Sequence, residues 1–166
     1  MSIHLKSGFT SAATFALCVA ATPGLSQNAS SGPFDGLSGY WSGAGTITMS
    51  NGVSERIHCK AEYAINDMGR ALNQSLRCAS DSYRLEISSN VIFNSGAISG
   101  TWGEATRHVT GNITGHASNA EIQARVDGAG FSAGIQVHFH GDRQSVSIRP
   151  TGATEVADVA ITMRRG

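Results

Sequence analysis

The strongest constraint on what this chain can fold into is a series of short turns that agree on which side chains face inward. Past Pro33 the sequence alternates. Ile57, Cys59, Ala61, Tyr63 and Ile65 interleave with His58, Lys60 and Glu62, and the stretches 121–127 and 136–140 repeat the pattern. Period two marks strands with one buried face, whereas an amphipathic helix needs apolar spacings of three and four. Directly paired residues of a hairpin share a face, so each turn can be tested against the alternation. A turn at Met68-Gly69 sets Ile65 opposite Leu72, Tyr63 opposite Gln74 and Cys59 opposite Cys78. A turn at Ser80-Asp81 sets Cys78 opposite Tyr83, and one at Ser95-Gly96 sets Phe93 opposite Ile98. Turns at Ser118-Asn119, Gly128-Ala129 and Gly141-Asp142 pair Ile113 with Ala124, Val126 with Phe131, and Val137 with Val146. Two-residue turns bearing glycine are the expected hairpin chemistry.

The implied strands run 39–49, 54–65, 71–78, 82–94, 97–103, 107–117, 120–127, 130–140, 143–149 and 157–165. Asn51-Gly52 marks the first hairpin, with a loop one residue longer than two because the faces mismatch otherwise. Ten strands with short links and no crossover helix predict an all-β fold, an up-and-down antiparallel meander that removes its free edges by closing into a barrel. Closure brings Trp41, Ile47 and Met49 of the first strand beside Val159, Ile161 and Met163 of the last.

Composition agrees. Of 166 residues, 14% are charged, against about 25% usually, and 20 are glycine. The 40% hydrophobic content is enough for one core. Lys and Arg number 12, as do Asp and Glu, so no electrostatic case exists for a nucleic-acid partner. Lys6, the uncharged stretch 12–21 and Pro23-Gly24-Leu25-Ser26 read as a secretory signal peptide over 1–26, cut after Ser26 or, as second choice, Ala21. The apolar stretch is too short to span a bilayer, and no later one approaches that length, so no transmembrane segment is expected. A flexible linker over 27–36 and a barrel domain over 37–166 complete the division, with a periplasmic or extracellular location. Cys18 leaves with the signal, and Cys59 and Cys78 remain as one expected disulfide.

Phe34-Asp-Gly-Leu-Ser-Gly39-Tyr-Trp41 opens the first strand, and Ile98-Ser-Gly-Thr-Trp102 repeats its end. The first motif resembles the G-x-W opening of calycin barrels, the lipocalin and avidin relatives, which have eight strands. The resemblance implies a secreted ligand-binding barrel in which Trp41 closes one end and a basic residue of the last strand, Arg165, packs on it.

Gly130-Phe-Ser132-Ala-Gly134 satisfies G-x-S-x-G, but a nucleophile elbow needs a strand, a sharp turn and a helix. Ser132 instead lies in an alternating strand and faces out, so no catalytic residue is assigned. His138 and His140 share the outward face without a third ligand, so no metal is assigned and no cofactor is read. The inward face holds Trp41, Tyr63, Gln74, Tyr83, Trp102 and Phe131, the expected ligand-binding residues, with Tyr63, Gln74 and Tyr83 placed together by pairing. Inward glycines at 43, 45, 100, 111 and 115 either create cavity volume or let the barrel bend. The expected function is a non-enzymatic barrel that binds a small, mainly apolar molecule. The alternative is a protein-binding module with a packed core, inhibitor-like or an envelope assembly factor. A Ser132 hydrolase is the third reading.

Overall fold

The computed structural model describes residues 31–152 and 154–166, so the signal-peptide reading of 1–26 lies outside the described residues. The described residues form a ten-stranded antiparallel barrel: β1 (Gly39–Met49), β2 (Ser54–Asn66), β3 (Ala71–Ala79), β4 (Arg84–Asn94), β5 (Ala97–Glu104), β6 (Val109–Ala117), β7 (Glu121–Gly128), β8 (Phe131–His140), β9 (Arg143–Thr151) and β10 (Val156–Arg165). Each strand pairs with its sequence neighbours, and β1 pairs with β10 to close the barrel. Trp41 lies opposite Arg165, Gly43 opposite Met163 and Ile47 opposite Val159. Closure leaves no strand edge unpaired, which is what a sheet this polar on one face and apolar on the other requires. The outward residues include Lys60, Glu62, Arg77, Glu86 and Arg125, all exposed. That is the reverse of a lipid-embedded barrel, whose outer band is apolar. No helix among the described residues is long and apolar enough to cross a membrane.

Every inward face expected from the alternation points inward, but three registers differ. The β2–β3, β4–β5 and β8–β9 hairpins pair as expected, with Tyr63 opposite Gln74, Phe93 opposite Ile98 and Val137 opposite Val146. The other three turns each lie one residue further along. Cys78 therefore pairs with Leu85 rather than Tyr83, Ile113 with Val126 rather than Ala124, and Val126 with Ala133 rather than Phe131. At β7–β8 the reason is Gly130, whose φ of +70° takes the second turn position, which Gly128 cannot fill from inside its strand. A one-residue move of the turn shifts the pairing by two, which preserves every face. The first loop has three residues between Met49 and Val53, whose N–H and C=O join at 2.8 Å, one more than a two-residue turn.

Cys59 and Cys78 are bonded across β2 and β3 as a directly paired couple. Between the two roles open to the inward glycines, the structure selects close backbone approach. A Cβ at Gly43 would collide with the Thr162 carbonyl, and one at Gly111 with the Asp127 carbonyl and the Trp102 indole. Gly45, Gly100 and Gly115 face neighbouring-strand carbonyls in the same way. These glycines let the sheet coil tightly enough to close.

Candidate functional site

One end of the barrel is stoppered by the segment before β1. Phe34, Leu37 and Trp41 are at most 1% exposed. Phe34, assigned above to the linker, anchors that segment. Its N–H donates to the Gly69 carbonyl at 3.1 Å, and its ring meets Phe93 edge-on at 6.4 Å between centroids. A 3-10 turn at Asp35–Leu37 then aims the Leu37 carbonyl at the Trp41 indole N–H, which donates to it at 2.7 Å. The Arg165 guanidinium lies 4.9 Å from the centre of the Trp41 ring and donates to the Gly36 carbonyl. The cation over the indole and the two carbonyl acceptors fix the stopper in one arrangement.

Above the stopper the interior is hollow. A cavity of about 370 Å³ opens toward the opposite end, walled by aliphatic side chains from all around the barrel, Ile57, Leu76, Ile87, Ile135, Val146 and Ile161 among them. Five of the six expected ligand-binding residues line it: Tyr63, Gln74, Tyr83, Trp102 and Phe131. Trp41 does not, because its indole N–H and its ring are both committed to the stopper. Four of the five fall on one path of direct cross-strand pairs. It runs from Tyr63 through Gln74, Ser89, Trp102, Gly111 and Gly128 to Phe131. Strand tilt makes such a path climb the wall, so it starts near the stopper at Tyr63 and ends near the mouth at Phe131. The two glycines leave room for Trp102 and Phe131 to meet over them edge to face, with centroids 5.7 Å apart.

The deep polar cluster differs from the expected trio. Tyr63 lies opposite Gln74, but Tyr83 sits in the β3–β4 hairpin at the mouth, because the shifted register moves it past the end of β4. Ser89 and Gln144 take its place. The Ser89 hydroxyl donates to Gln74 Oε1 at 2.7 Å, and Gln144 Nε2 donates to the Tyr63 hydroxyl oxygen at 2.8 Å. Burial pushes the Tyr63 phenol up to about 12, against hydrogen bonds from Gln144 and Gln74 that favour its ionised form. Gln144 is 2% exposed, and its Oε1 has no partner. The sequence reading omitted Gln144, although it shares the inward parity of Val146 and Ile148.

At the mouth, Tyr83 is covered by the Arg107 guanidinium, 4.6 Å from the ring centre. Arg107 also reaches Glu104 at 3.6 Å. Burial would raise the Glu104 carboxyl, but the Thr106 hydroxyl and the N–H groups of Glu86, Thr106 and Arg107 outweigh it and hold the group at about 2. Glu104 is thus an ionised carboxylate that shapes the β5–β6 hairpin. It shares the parity of Trp102 and was also missed. Glu155 completes the charged lining of the mouth.

Ser132 donates to Asp127 Oδ1 at 2.8 Å and lies near Arg125 on the outer surface. No histidine bonds to it among the described residues, so the arrangement lacks the base that activates a serine. His138 is exposed and 3.9 Å from Glu121. No group of three metal-ligating side chains occurs among the described residues.

No protein-family model matches the chain. No curated protein matches it either. Solved structures do match in shape. Rv2717c from M. tuberculosis aligns with a TM-score of 0.64 at 13% identity, over 80% of this chain and 94% of that one. The S-type phycobiliprotein lyase CPES from Guillardia theta aligns with a TM-score of 0.54 at 12% identity, over 80% and 90%. Both are ten-stranded antiparallel barrels with calycin-like folds, so the likeness is one of fold.

Proposed function

We propose that this protein is an exported, non-enzymatic barrel that binds a small, mainly apolar molecule in its interior. The cavity carries the reading. Its volume of about 370 Å³ falls within the range of small-molecule pockets, roughly 300–1,000 Å³. Its walls are aliphatic, with polar groups confined to a deep cluster and a rim. That is the arrangement by which apolar burial gives affinity and a few fixed groups give orientation. Burying roughly 200 Å² of ligand surface offers about 5 kcal/mol before the costs of association. The ligand therefore also needs hydrogen bonds to reach micromolar affinity. Tyr63, Gln74, Tyr83, Trp102 and Phe131 are the proposed contacts, and the internal disulfide supports the exported location.

A hollow interior favours this over the protein-binding alternative, which calls for a packed core. A lyase among the structural neighbours makes a catalyst the second reading. It requires a reactive group in the cavity, and the deep polar groups there, Tyr63, Gln74 and Ser89, are held in hydrogen bonds instead. The test is titration of the exported protein with the neutral dye phenylnaphthylamine, read by dye emission and by quenching of tryptophan. Saturation at one dye per chain is expected. No saturable binding, with no added mass on native mass spectrometry of freshly purified protein, would leave protein binding as the better account.

A further inference from the structure

Three polar side chains of the cavity wall stand side by side near the stopper, because Gln74 pairs directly with Tyr63 on one strand and with Ser89 on the other. Their hydrogen bonds use only part of their capacity. The Ser89 hydroxyl donates to Gln74 Oε1, and its own oxygen is left to accept. The Tyr63 oxygen accepts from Gln144 Nε2, and its O–H is left to donate, as is an N–H of Gln74. Gln144 carries a further acceptor without a partner, Oε1. The Gln74 amide turned over would donate to the Ser89 oxygen, leaving Gln74 Oε1 to accept and the Ser89 O–H to donate. In either orientation Gln74 and Ser89 together present one free donor and one free acceptor on the chamber wall.

Such a pair is matched by one group that both donates and accepts. Water is such a group, and a guest that displaces it keeps both bonds only by bringing another. A hydroxyl does so from a single atom. An ether or carbonyl oxygen answers the donor alone, and a hydrocarbon answers neither. Between this cluster and the charged mouth the wall is aliphatic and aromatic, so the guest needs polarity at its inner end and apolar surface beyond it. Resting on the binding reading above, we propose that the guest is an apolar molecule whose inner end carries a hydroxyl, an alcohol or a phenol, held between Gln74 and Ser89.

The experiment is displacement of phenylnaphthylamine at neutral pH by butylphenol, butylanisole and butylbenzene, which share a skeleton and differ in what they donate and accept. Each is run on the wild type and on the double variant Gln74→Leu with Ser89→Ala, which makes the pair apolar. Butylphenol should require roughly three- to tenfold more compound on the variant. Butylbenzene should displace the dye from the variant at the same concentration or lower, and butylanisole should shift less than butylphenol. With dye binding intact, a butylphenol that loses nothing on the variant overturns the proposal, as does a loss shared equally by butylanisole or butylbenzene. The wild type alone gives a second reading that does not depend on the variant's folding: butylphenol should displace the dye at lower concentration than butylanisole, and the reverse order also overturns the proposal. Failure of the dye to bind the wild type at all overturns the binding reading and the inference with it.

Discussion

The two ends of this barrel are built from the same alternating strands and do opposite things. At the stoppered end the inward positions hold Trp41 and Met163, and an extra segment carrying Phe34 and Leu37 fills what the strands leave open. At the other end the inward positions are aliphatic residues that reach only part of the way across, and among the described residues no segment folds in behind them. The contrast shows that barrel width alone does not make a cavity. Ten strands enclose more cross-section than wall side chains fill, and whether the surplus is occupied depends on a piece of chain outside the sheet. The polar groups follow the same division. On the cavity wall near the stopper they are neutral and hydrogen-bonded, and at the mouth they are charged, with the Glu104 carboxylate buried among its donors and Arg107 partly exposed.

Truncating the two tryptophans should break this comparison most severely if it is wrong. Trp41→Ala removes a side chain packed on all sides and should cost about 3–5 kcal/mol in denaturant unfolding. Trp102→Ala borders the cavity and should cost roughly half as much, since less packing is lost where one side is already void. Equal losses would mean that the upper chamber is as well packed as the stopper.

The disulfide comes next. It links β2 and β3 over a separation of 19 residues, and Cys78 lies on the cavity wall. Replacing both cysteines by alanine should lower stability by about 3 kcal/mol on the loop-entropy account. Dye titration of the same variant then shows whether the staple also holds the chamber's shape, with weaker binding expected.

Glu104 gives a pH test confined to the mouth. Its carboxyl is held at about 2 in the folded protein, below the ordinary 4.5. A depressed carboxyl contributes stability that is present above the unfolded value and is lost as pH falls through the folded one. Melting temperature should therefore drop as pH falls from about 4.5 toward 2. Glu104→Gln should be less stable at neutral pH by about 1–3 kcal/mol, with a shallower acid slope. Glu55 and Asp127, whose carboxyls are also lowered by hydrogen bonds, stay in both proteins and set the common background. An unchanged acid slope in the variant would place the sensitivity elsewhere.

The smallest expected effect is at Arg165. Arg165→Ala loses the cation over Trp41 and the bond to the Gly36 carbonyl and should cost about 0.5–2 kcal/mol. A loss as large as that of Trp41→Ala would show that the arginine holds the whole stopper in place.

Faces were legible in the sequence and turn positions were less so, for one reason. Parity is reported by every residue of a strand, whereas a turn is reported by two. At Asp81-Ser82 and Asn119-Ala120 no glycine separates the correct placement from its neighbour, and both placements satisfy the alternation. The error carried into the site, because it paired Tyr83 with Cys78 inside the sheet and Gln74 with Ile87, where the chain leaves Tyr83 in the hairpin at the mouth and sets Ser89 opposite Gln74. Gln144 and Glu104 were hidden differently: each is a polar residue at an inward parity, which pattern reading discounts unless a buried partner is in view. Phe34 was lost to the linker because its role depends on contact with Gly69 and Phe93, and no local spacing reports that. Arg165 over Trp41 was legible only through the resemblance to calycin barrels, and the pairing of the first and last strands is what brings the two residues together.

The central claim is that the chamber between stopper and mouth takes a guest, and Ile135→Trp tests it most directly. Ile135 is half-buried on the cavity wall, and an indole there occupies much of the free volume without touching the stopper. Phenylnaphthylamine titrated into wild type and variant should saturate with the first and fail to bind the second, while the variant's unfolding midpoint holds or rises. Equal dye affinity in the two folded proteins would place binding outside the barrel and contradict the account.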